Sequence, residues 1–589
     1  MNHSKGIDKQ CIAMQISEKM SRSRRMAIAA TAAASALFVL FYWIDTVEFL
    51  SQQDHEPSTS ISIATQFRTP DSDNDFLSSS SALNVFEGCP EFNHVRPIGC
   101  FARSPPPTPR PCRKCSSQIH LSSGKNVSSS ITISFAIDYS CSKNEKVNVN
   151  IMADGRPNDI SANNTSTYRI KQYTSTSCME DDPKKCKQPK SNVNEAHLCH
   201  AHSFGTYESD WFYHITVDGL EPDTHYSVEI DPPPCNANTK PSFSTAAWPP
   251  SQLKKTSTSF ESIYLSHQKK ASTQHNGMKI AIVGDPGQDD EATSTFNGIE
   301  SMKDDLLLLV VAGDLSYANR DHRLWDKWFN KYESLFSTLP MLVTPGNHDI
   351  ETDCCDWSVF KAYEHRFQMP EILPAELGYA CVQADSSPPN YNFAGNYNYG
   401  NAYYSVVLGS AYVFFLNTYS DSSKKSPQFK WFSNEIKKVD RTVTPWLFVV
   451  THGTLYETYQ KHLEETGQMT MQRYMEPLFN KYKVNAVFSG HDHNYARMQP
   501  HGKKFKPTYI TIGNGGHSRH QQDEKKHNEK WLVAMDWWSW GFGTLTVLNE
   551  THAFWQTHFH NDTNIDFVPG TDSVYLINEY VGSSETTMP

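Results

Sequence analysis

Five short segments in the second half of the chain carry residue types that bind metal ions. They are Gly284-Asp285-Pro286-Gly287, Gly313-Asp314-Leu315-Ser316-Tyr317, Gly346-Asn347-His348-Asp349, Thr451-His452-Gly453 and Gly490-His491-Asp492-His493. Carboxylate, amide, phenol and imidazole groups are the oxygen and nitrogen donors that hard and borderline metals prefer. Taken singly, none of the segments decides anything. Gly-Asp after a strand is more often a turn than a ligand, and His-x-His is as readily a surface accident as a metal site. Together they offer what a two-metal hydrolytic site needs: a carboxylate able to bridge two ions, terminal donors for each, and open positions for water and substrate.

Each segment directly follows a short apolar run, KIAIV, LLLLVVA, MLVTP, WLFVV or AVFS. Such runs read as buried strands of an α/β domain. The candidate donors then lie just past the carboxyl ends of strands, where open α/β sheets form their crevice. Between the strands, Leu324, Trp328, Tyr332 and Leu335 share one helical face, which reads as ordinary core packing.

The 589 residues exceed one ordinary core, so two folded domains plus tails are expected. Apolar content of 38% points to sizeable solvated stretches. A net charge of −11 with interspersed signs argues against a nucleic-acid partner or a polybasic membrane surface. Of the 13 cysteines, Cys11 precedes an apolar span and 12 lie beyond it, an even number that suits disulfides in an exported part without revealing their pairing. Cys112-x-x-Cys115 lacks the second half of a zinc site, which favours disulfides there too.

Met26 to Ile44 is a 19-residue uncharged run, about 28 Å as a helix and just able to span a bilayer core. Lys19, Arg22, Arg24 and Arg25 precede it and Asp45 and Glu48 follow. This orients the N-terminus to the cytosol and the remainder to the exterior or a lumen. A cleaved signal peptide with secretion is the competing reading, but the small residues Ala32 to Ala36 come before the bulky ones rather than after them. Sequons at Asn126, Asn163, Asn164, Asn549 and Asn561 agree with export. The expected organisation is a cytosolic N-terminus (1–25), a transmembrane anchor (26–44), a flexible stalk (45–108), a β-sandwich (109–248), a linker (249–277), the α/β domain (278–561) and a loosely held tail (562–589). Short alternating segments at 129–140, 146–153, 211–220 and 225–230 carry the sandwich reading, and the charged, cysteine-bearing insert at 178–200 reads as a disulfide-tied loop.

Taken together, residues 118 to 560 resemble the purple acid phosphatases within the calcineurin-like metallophosphoesterase superfamily. Besides the five segments, the resemblance rests on Tyr207-Glu-Ser-Asp-Trp-Phe-Tyr-His, Gly219-Leu-Glu-Pro-Asp-Thr-His-Tyr, Arg366-Phe-Gln-Met-Pro, Tyr403-Tyr404-Ser405, Asp440-Arg441 with Pro445-Trp446, and Tyr509-Ile-Thr-Ile-Gly. It implies an α-β-β-α four-layer metallophosphoesterase sandwich preceded by a fibronectin type III-like domain. It also implies that Asp285, Asp314, Tyr317 and His493 hold Fe(III), with Asp314 bridging to a divalent ion (zinc, manganese or iron) held by Asn347, His452 and His491. The protein Ser/Thr phosphatase branch carries Asp-x-His at the first motif. Here that histidine position is Gly287, and Tyr317 replaces the missing donor with a phenolate that favours ferric iron.

The resemblance implies an acid phosphatase that hydrolyses phosphate monoesters by direct attack of a metal-bound hydroxide, without a phosphoenzyme. His348 and His462 are the candidate catalytic residues, each able to assist phosphate or protonate the leaving group. Asp349, where plant relatives carry Glu, is expected to orient the His348 ring. Plant relatives have consecutive histidines nine and ten residues after the ligand at 452; here these are Lys461 and His462. Asp492 and Ala496 also replace an apolar residue and a Glu of the plant pattern. The expected partners are a phosphate ester, the membrane through the N-terminal helix, and no nucleic acid, with room for a homodimer. A phosphodiesterase or nucleotide pyrophosphatase with the same metals, and a catalytically silent binding ectodomain, are the alternative functions.

Overall fold

The computed structural model describes residues 111–582 apart from 142–145, 154–158, 162–165, 177–205, 248–277, 352–358, 371–396, 460–461, 464, 501–505, 520–528 and 562–563. The N-terminus, anchor, stalk, linker and cysteine-bearing insert read from the sequence lie outside these residues, as does Lys461. Among the described residues no helix is long and apolar enough to cross a membrane.

All five apolar runs form strands, and they divide between two sheets. Met278–Val283, Leu309–Val311 and Met341–Val343 lie side by side in parallel. Trp446–Val450 and Ala486–Ser489 lie parallel in the second sheet, between Ala411–Phe415 and Thr508–Ile512. Alternation along the strands shows why both faces are buried. Trp446, Phe448 and Val450 join one apolar cluster with Ile280, Ile282, Val310 and Leu342 of the first sheet. Leu447 and Val449 point the other way, onto Phe432, Met471 and Phe479 of the helices Pro427–Glu435, Thr466–Tyr474 and Glu476–Lys481, and onto Met475 between the last two. On the outer side of the first sheet, helix Asp290–Ser301 lies against strand Trp540–Val547. The Tyr404 hydroxyl donates across the sandwich to the Val343 carbonyl at 2.7 Å.

The expected helical face at 324–335 is broken in two, His322–Lys331 and Glu333–Phe336, with Tyr332 between them. Trp328, Tyr332 and Leu335 are buried as expected, Leu324 packs partly buried against the same cluster, and Trp325, Phe329 and Phe336 are buried beside them.

In the N-terminal part, two sheets enclose a core of Ile119, Leu121, Ile133, Phe135, Ile151, Tyr213 and Val228. Disulfides Cys112–Cys141 and Cys115–Cys235 tie it together. Its strand Ser116–Ser123 also pairs in parallel with Met341–Val343, so one ten-stranded sheet runs through both parts of the chain.

Arg366 locks this junction. Its guanidinium is fully buried, donates to Gln118 Oε1 (2.7 Å) and Tyr207 Oη (2.6 Å), pairs with Asp326 (2.9 Å) and lies over the Phe212 ring. A buried charge is tolerated only with such partners. Part of the segment expected as a loosely held tail is instead a strand: Asn564–Ile577 pairs antiparallel with His552–Asn561. Asp572 receives Arg497 Nε at 2.7 Å, and this ion pair holds the strand in place where composition alone suggested a loose end.

Four histidines around the junction, with His120, His214 and His322 buried and His365 partly so, are held toward the neutral form. Burial lowers His120 to about 4 and His322 and His365 to about 3, and takes His214 well below the imidazole range. The folded state therefore binds fewer protons than the unfolded state below about pH 6.5. Their contribution is complete above that pH and is lost as pH falls toward 4. Thermal melts should show a stability plateau above pH 6.5 and a decline below it, and His120→Gln should reduce the slope of that decline. A melting temperature that stays constant from pH 7 to pH 4 would contradict the assignment.

Candidate metal centre

The candidate donors meet where the carboxyl ends of the two sheets face each other. The turns that present them are strained. Asp285, Asp314, Tyr317 and His491 all have left-handed backbone, with φ of 55°, 52°, 48° and 70°, a conformation uncommon outside glycine and concentrated at functional sites. Two glycines make the close approach possible. A Cβ on Gly346 would collide with the Asp314 carboxylate, and one on Gly490 with that of Asp285.

Asp349 ties two of these turns together. Its Oδ2 accepts the backbone N–H of Asp314 (3.0 Å) and Gly346 (2.8 Å), and its Oδ1 accepts that of Leu315 (3.2 Å). This corrects the expectation that Asp349 orients His348. The His348 Nδ1 instead lies 2.7 Å from Asn319 Oδ1, because the carboxylate at 349 points inward and is consumed by backbone donors.

The three candidate histidine ligands share one logic. His452 Nδ1 lies 2.7 Å from the Ala312 carbonyl, His493 Nδ1 lies 2.9 Å from that of Ser518, and His491 Nε2 lies 3.0 Å from Glu465 Oε2. Each of these nitrogens donates its proton to an oxygen, which fixes the tautomer and aims the other nitrogen's lone pair inward. The inward nitrogens then face oxygens. His452 Nε2 is 3.1 Å from Asn347 Oδ1 and 3.4 Å from Asp314 Oδ2, and His491 Nδ1 is 3.0 Å from Asn347 Oδ1. His493 Nε2 is 2.9 Å from the Tyr317 hydroxyl oxygen and 3.5 Å from Asp285 Oδ1. The Tyr317 O–H can donate to Asp285 Oδ1 at 3.0 Å or to His493 Nε2, and the other lone pairs brought so close repel unless a proton or a metal cation lies among them.

Two further observations fit cations. Asp314 Oδ2 is buried with no hydrogen-bond partner, as a bridging ligand atom must be. Burial opposes charge on His452, yet Asp314 and Asp285 outweigh it and draw its pKa up to about 10, which shows how strongly the pocket favours positive charge. Burial and then Asp285 push the Tyr317 phenol well above 10. Only a strongly charged ion at its oxygen would make it a phenolate. A side chain at Gly287 would meet the Tyr317 and His517 rings, so these rings occupy the space beside the first motif. The donor set thus fits iron together with a divalent metal.

The two candidate catalytic histidines sit in opposite surroundings. Burial lowers His348, whose ring partner is the neutral amide of Asn319. Burial also opposes charge on His462, but the hydrogen bond to Asp492 (2.9 Å) and the nearby charges of Asp492, Glu465 and Asp285 together outweigh it and raise its pKa. The His462 ring stacks on that of His491, with centroids 4.1 Å apart. Glu465, Asn319 and His517, which stacks on Tyr317 at 3.5 Å, were not visible in the sequence. Each acts through a neighbour that only folding supplies, although Glu465 follows His462 by three residues.

This architecture defines a metallophosphoesterase. Residues 278–495 match the calcineurin-like phosphoesterase family model, and residues 506–566 match that of the iron/zinc purple acid phosphatase-like protein C. The chain is 31% identical to purple acid phosphatase 1 of Ipomoea batatas over 52% of its own length and 64% of that protein. It is 30% identical to purple acid phosphatase 22 of Arabidopsis thaliana over 64% of its length and 76% of that relative. The structure of a purple acid phosphatase from yellow lupin shares the fold, with a TM-score of 0.56 at 17% identity, covering 79% of this chain and 74% of that one. The chain belongs to the purple acid phosphatases, a family of metal-dependent hydrolases.

Asp349 offers a direct check on how the site is built. Asp349→Ala would leave three buried N–H groups unpaired, and should cost about 3 kcal/mol or more of stability. Metal content should fall although no ligand is removed, and Asp349→Asn should retain part of both. Unchanged melting temperature and metal content in Asp349→Ala would show that the clamp is dispensable.

Proposed function

We propose that the protein is an acid phosphatase that hydrolyses phosphate monoesters at a dinuclear centre. The observation that carries the reading is the buried, unpartnered Asp314 Oδ2 set between two groups of converging donors. Asp285, Asp314, Tyr317 and His493 would hold ferric iron. Asp314, Asn347, His452 and His491 would hold the divalent ion. When bound, the two cations acidify water and neutralise charge building on the phosphoryl oxygens.

The chain's own groups do the rest. The His348 N–H donates to Asp314 Oδ1 at 2.7 Å and steadies that carboxylate. The Asn319 amide oxygen accepts the His348 Nδ1–H, so the ring's outer nitrogen is the one available to a phosphate oxygen. His462 gives its Nδ1–H to Asp492 and presents Nε2 on the side of Glu465 and His491. In this reading the ring is protonated on both nitrogens and passes its Nε2 proton to the departing alkoxide, and a carboxylate partner, which favours the imidazolium, suits that role better than the neutral amide behind His348. The sandwich at 109–248 would be the fibronectin type III-like domain of the family. The two disulfides support placement of the described residues outside the cytosol. The apolar run 26–44 would anchor them to a membrane.

The test is purification of the chain beyond residue 45, elemental analysis, a visible spectrum, and assays on a monoester, a diester and ATP. The expected result is iron with a second metal, a visible absorption band lost in Tyr317→Phe, and preference for the monoester. Asp314→Ala should lose both metals and nearly all activity. A colourless, iron-free and fully active enzyme would remove the assignment of Tyr317, and a preference for the diester or ATP would replace the substrate class.

A further inference from the structure

The middle residue of Gly490-His491-Asp492-His493 points away from the candidate metal ligands on either side of it. Asp492 is fully buried. Its Oδ1 lies 2.9 Å from His462 Nδ1. Its Oδ2 accepts the Thr458 hydroxyl at 2.9 Å and the Thr458 N–H at 3.3 Å. The buried Glu457 carboxyl is a close neighbour of Asp492 and His462, and its Oε1 accepts the N–H groups of Thr458 (3.1 Å) and Tyr459 (3.0 Å). Thr458 and His462 therefore both bind one carboxylate that belongs to the metal-ligand turn.

We infer that Asp492 is a positioning residue for His462: it fixes the imidazole tautomer and direction so that Nε2 faces the substrate. The ring has three restraints. Its face stacks on His491 at 4.1 Å, its edge meets Tyr459 at 4.8 Å, and its Nδ1 is held by Asp492. The two ring contacts set the plane. The hydrogen bond decides which N–H is spent on Asp492 and which nitrogen is presented to the pocket; as a proton donor the ring is the imidazolium, with an N–H on each nitrogen, and it is the Nε2 proton that passes to the leaving oxygen. An apolar side chain at 492 would leave Nδ1 facing a dry wall. The ring would then have no reason to prefer one flip over the other. Because Asp492 sits on the backbone between His491 and His493, any shift of the ligand turn also moves the group that aims the acid. Thr458 in turn holds Asp492 through its hydroxyl and its N–H, and so sets the carboxylate's orientation.

This inference rests on the assignment of His462 as the proton donor, and the experiment separates the two. The assay is kcat/KM on an alkyl phosphate and on p-nitrophenyl phosphate, with iron and divalent metal content, for wild type, Asp492→Val, Asp492→Asn, Thr458→Val, His462→Ala and the Asp492→Val/His462→Ala double variant. Asp492→Val should lose about 10-fold or more on the alkyl phosphate and clearly less on the aryl phosphate, which leaves without protonation. Asp492→Asn keeps an acceptor oxygen and should recover part of the loss. In the His462→Ala background Asp492→Val should cost nothing further, the non-additivity expected of residues acting as one unit. A merely structural role would lower both substrates equally and add to His462→Ala, and either result overturns the inference. Loss of a third metal ion in Asp492→Val would also overturn it, in favour of a cation held by Glu457, His462 and Asp492. Should Asp492→Val lose metal at the main centre, Thr458→Val decides: it should repeat the substrate pattern at smaller amplitude, and wild-type behaviour there rejects the role. If His462→Ala matches wild type on both substrates, the proton-donor assignment itself fails. If His462→Ala is impaired and Asp492→Val is not, the inference alone fails.

Discussion

Everything in the catalytic half of this molecule answers to one electrostatic constraint: lone pairs on three histidines, two aspartates, a tyrosine and an asparagine converge in a buried space. Hydrogen bonds relieve only part of that crowding: the Tyr317 and Tyr419 hydroxyls reach Asp285 and Asn347, while the histidine N–H groups are turned outward to Ala312, Ser518 and Glu465. A positive charge among the donors is the remaining solution. The left-handed turns at Asp285, Asp314, Tyr317 and His491 are the strained backbone that brings the donors this close, and the strain persists because strands packed on both faces leave the turns nowhere to relax. The Asp349 carboxylate, bound to three backbone N–H groups, shows the same economy of design. A residue inside the Gly-Asn-His-Asp segment works on the backbone of the neighbouring turn rather than on the ions or the substrate.

The N-terminal part is joined to this centre mechanically. Its strand Ser116–Ser123 extends the sheet that carries the first three motifs, and Arg366 pins helix Lys361–Arg366 to Gln118, Tyr207 and Asp326. Glu333 adds a second link, accepting Ile119 N–H and the Thr239 hydroxyl. Displacing the N-terminal sheet would therefore disturb strand Met341–Val343, whose carboxyl end leads into Asn347 and His348. A shared sheet and a buried cation give a stiffer junction than a linker between independent modules.

His348 and His462 illustrate how one residue type takes different properties from its surroundings. A neutral amide behind one ring and a carboxylate behind the other set opposite tendencies toward charge. Neither partner is near its histidine in the chain: Asn319 precedes His348 by 29 residues and Asp492 follows His462 by 30.

The amino-acid sequence by itself determined the donor types, their order and the strands that carry them, because apolar runs and the turns that end them are local features with a local physical cause. It also determined the replacement of a first-motif histidine by Gly287, and hence the need for Tyr317. Tertiary structure decided the rest. The division of the five strands between two sheets, the pairing of Ser122 with Met341, the ordering of Asn564–Ile577 through Arg497 and Asp572, and the partners of Asp349, His348 and His462 all join residues distant in the chain or turned in directions that no periodicity encodes. Which hydrogen-bond acceptor a buried donor finds depends on how the layers pack, and packing is a property of the whole fold rather than of any segment.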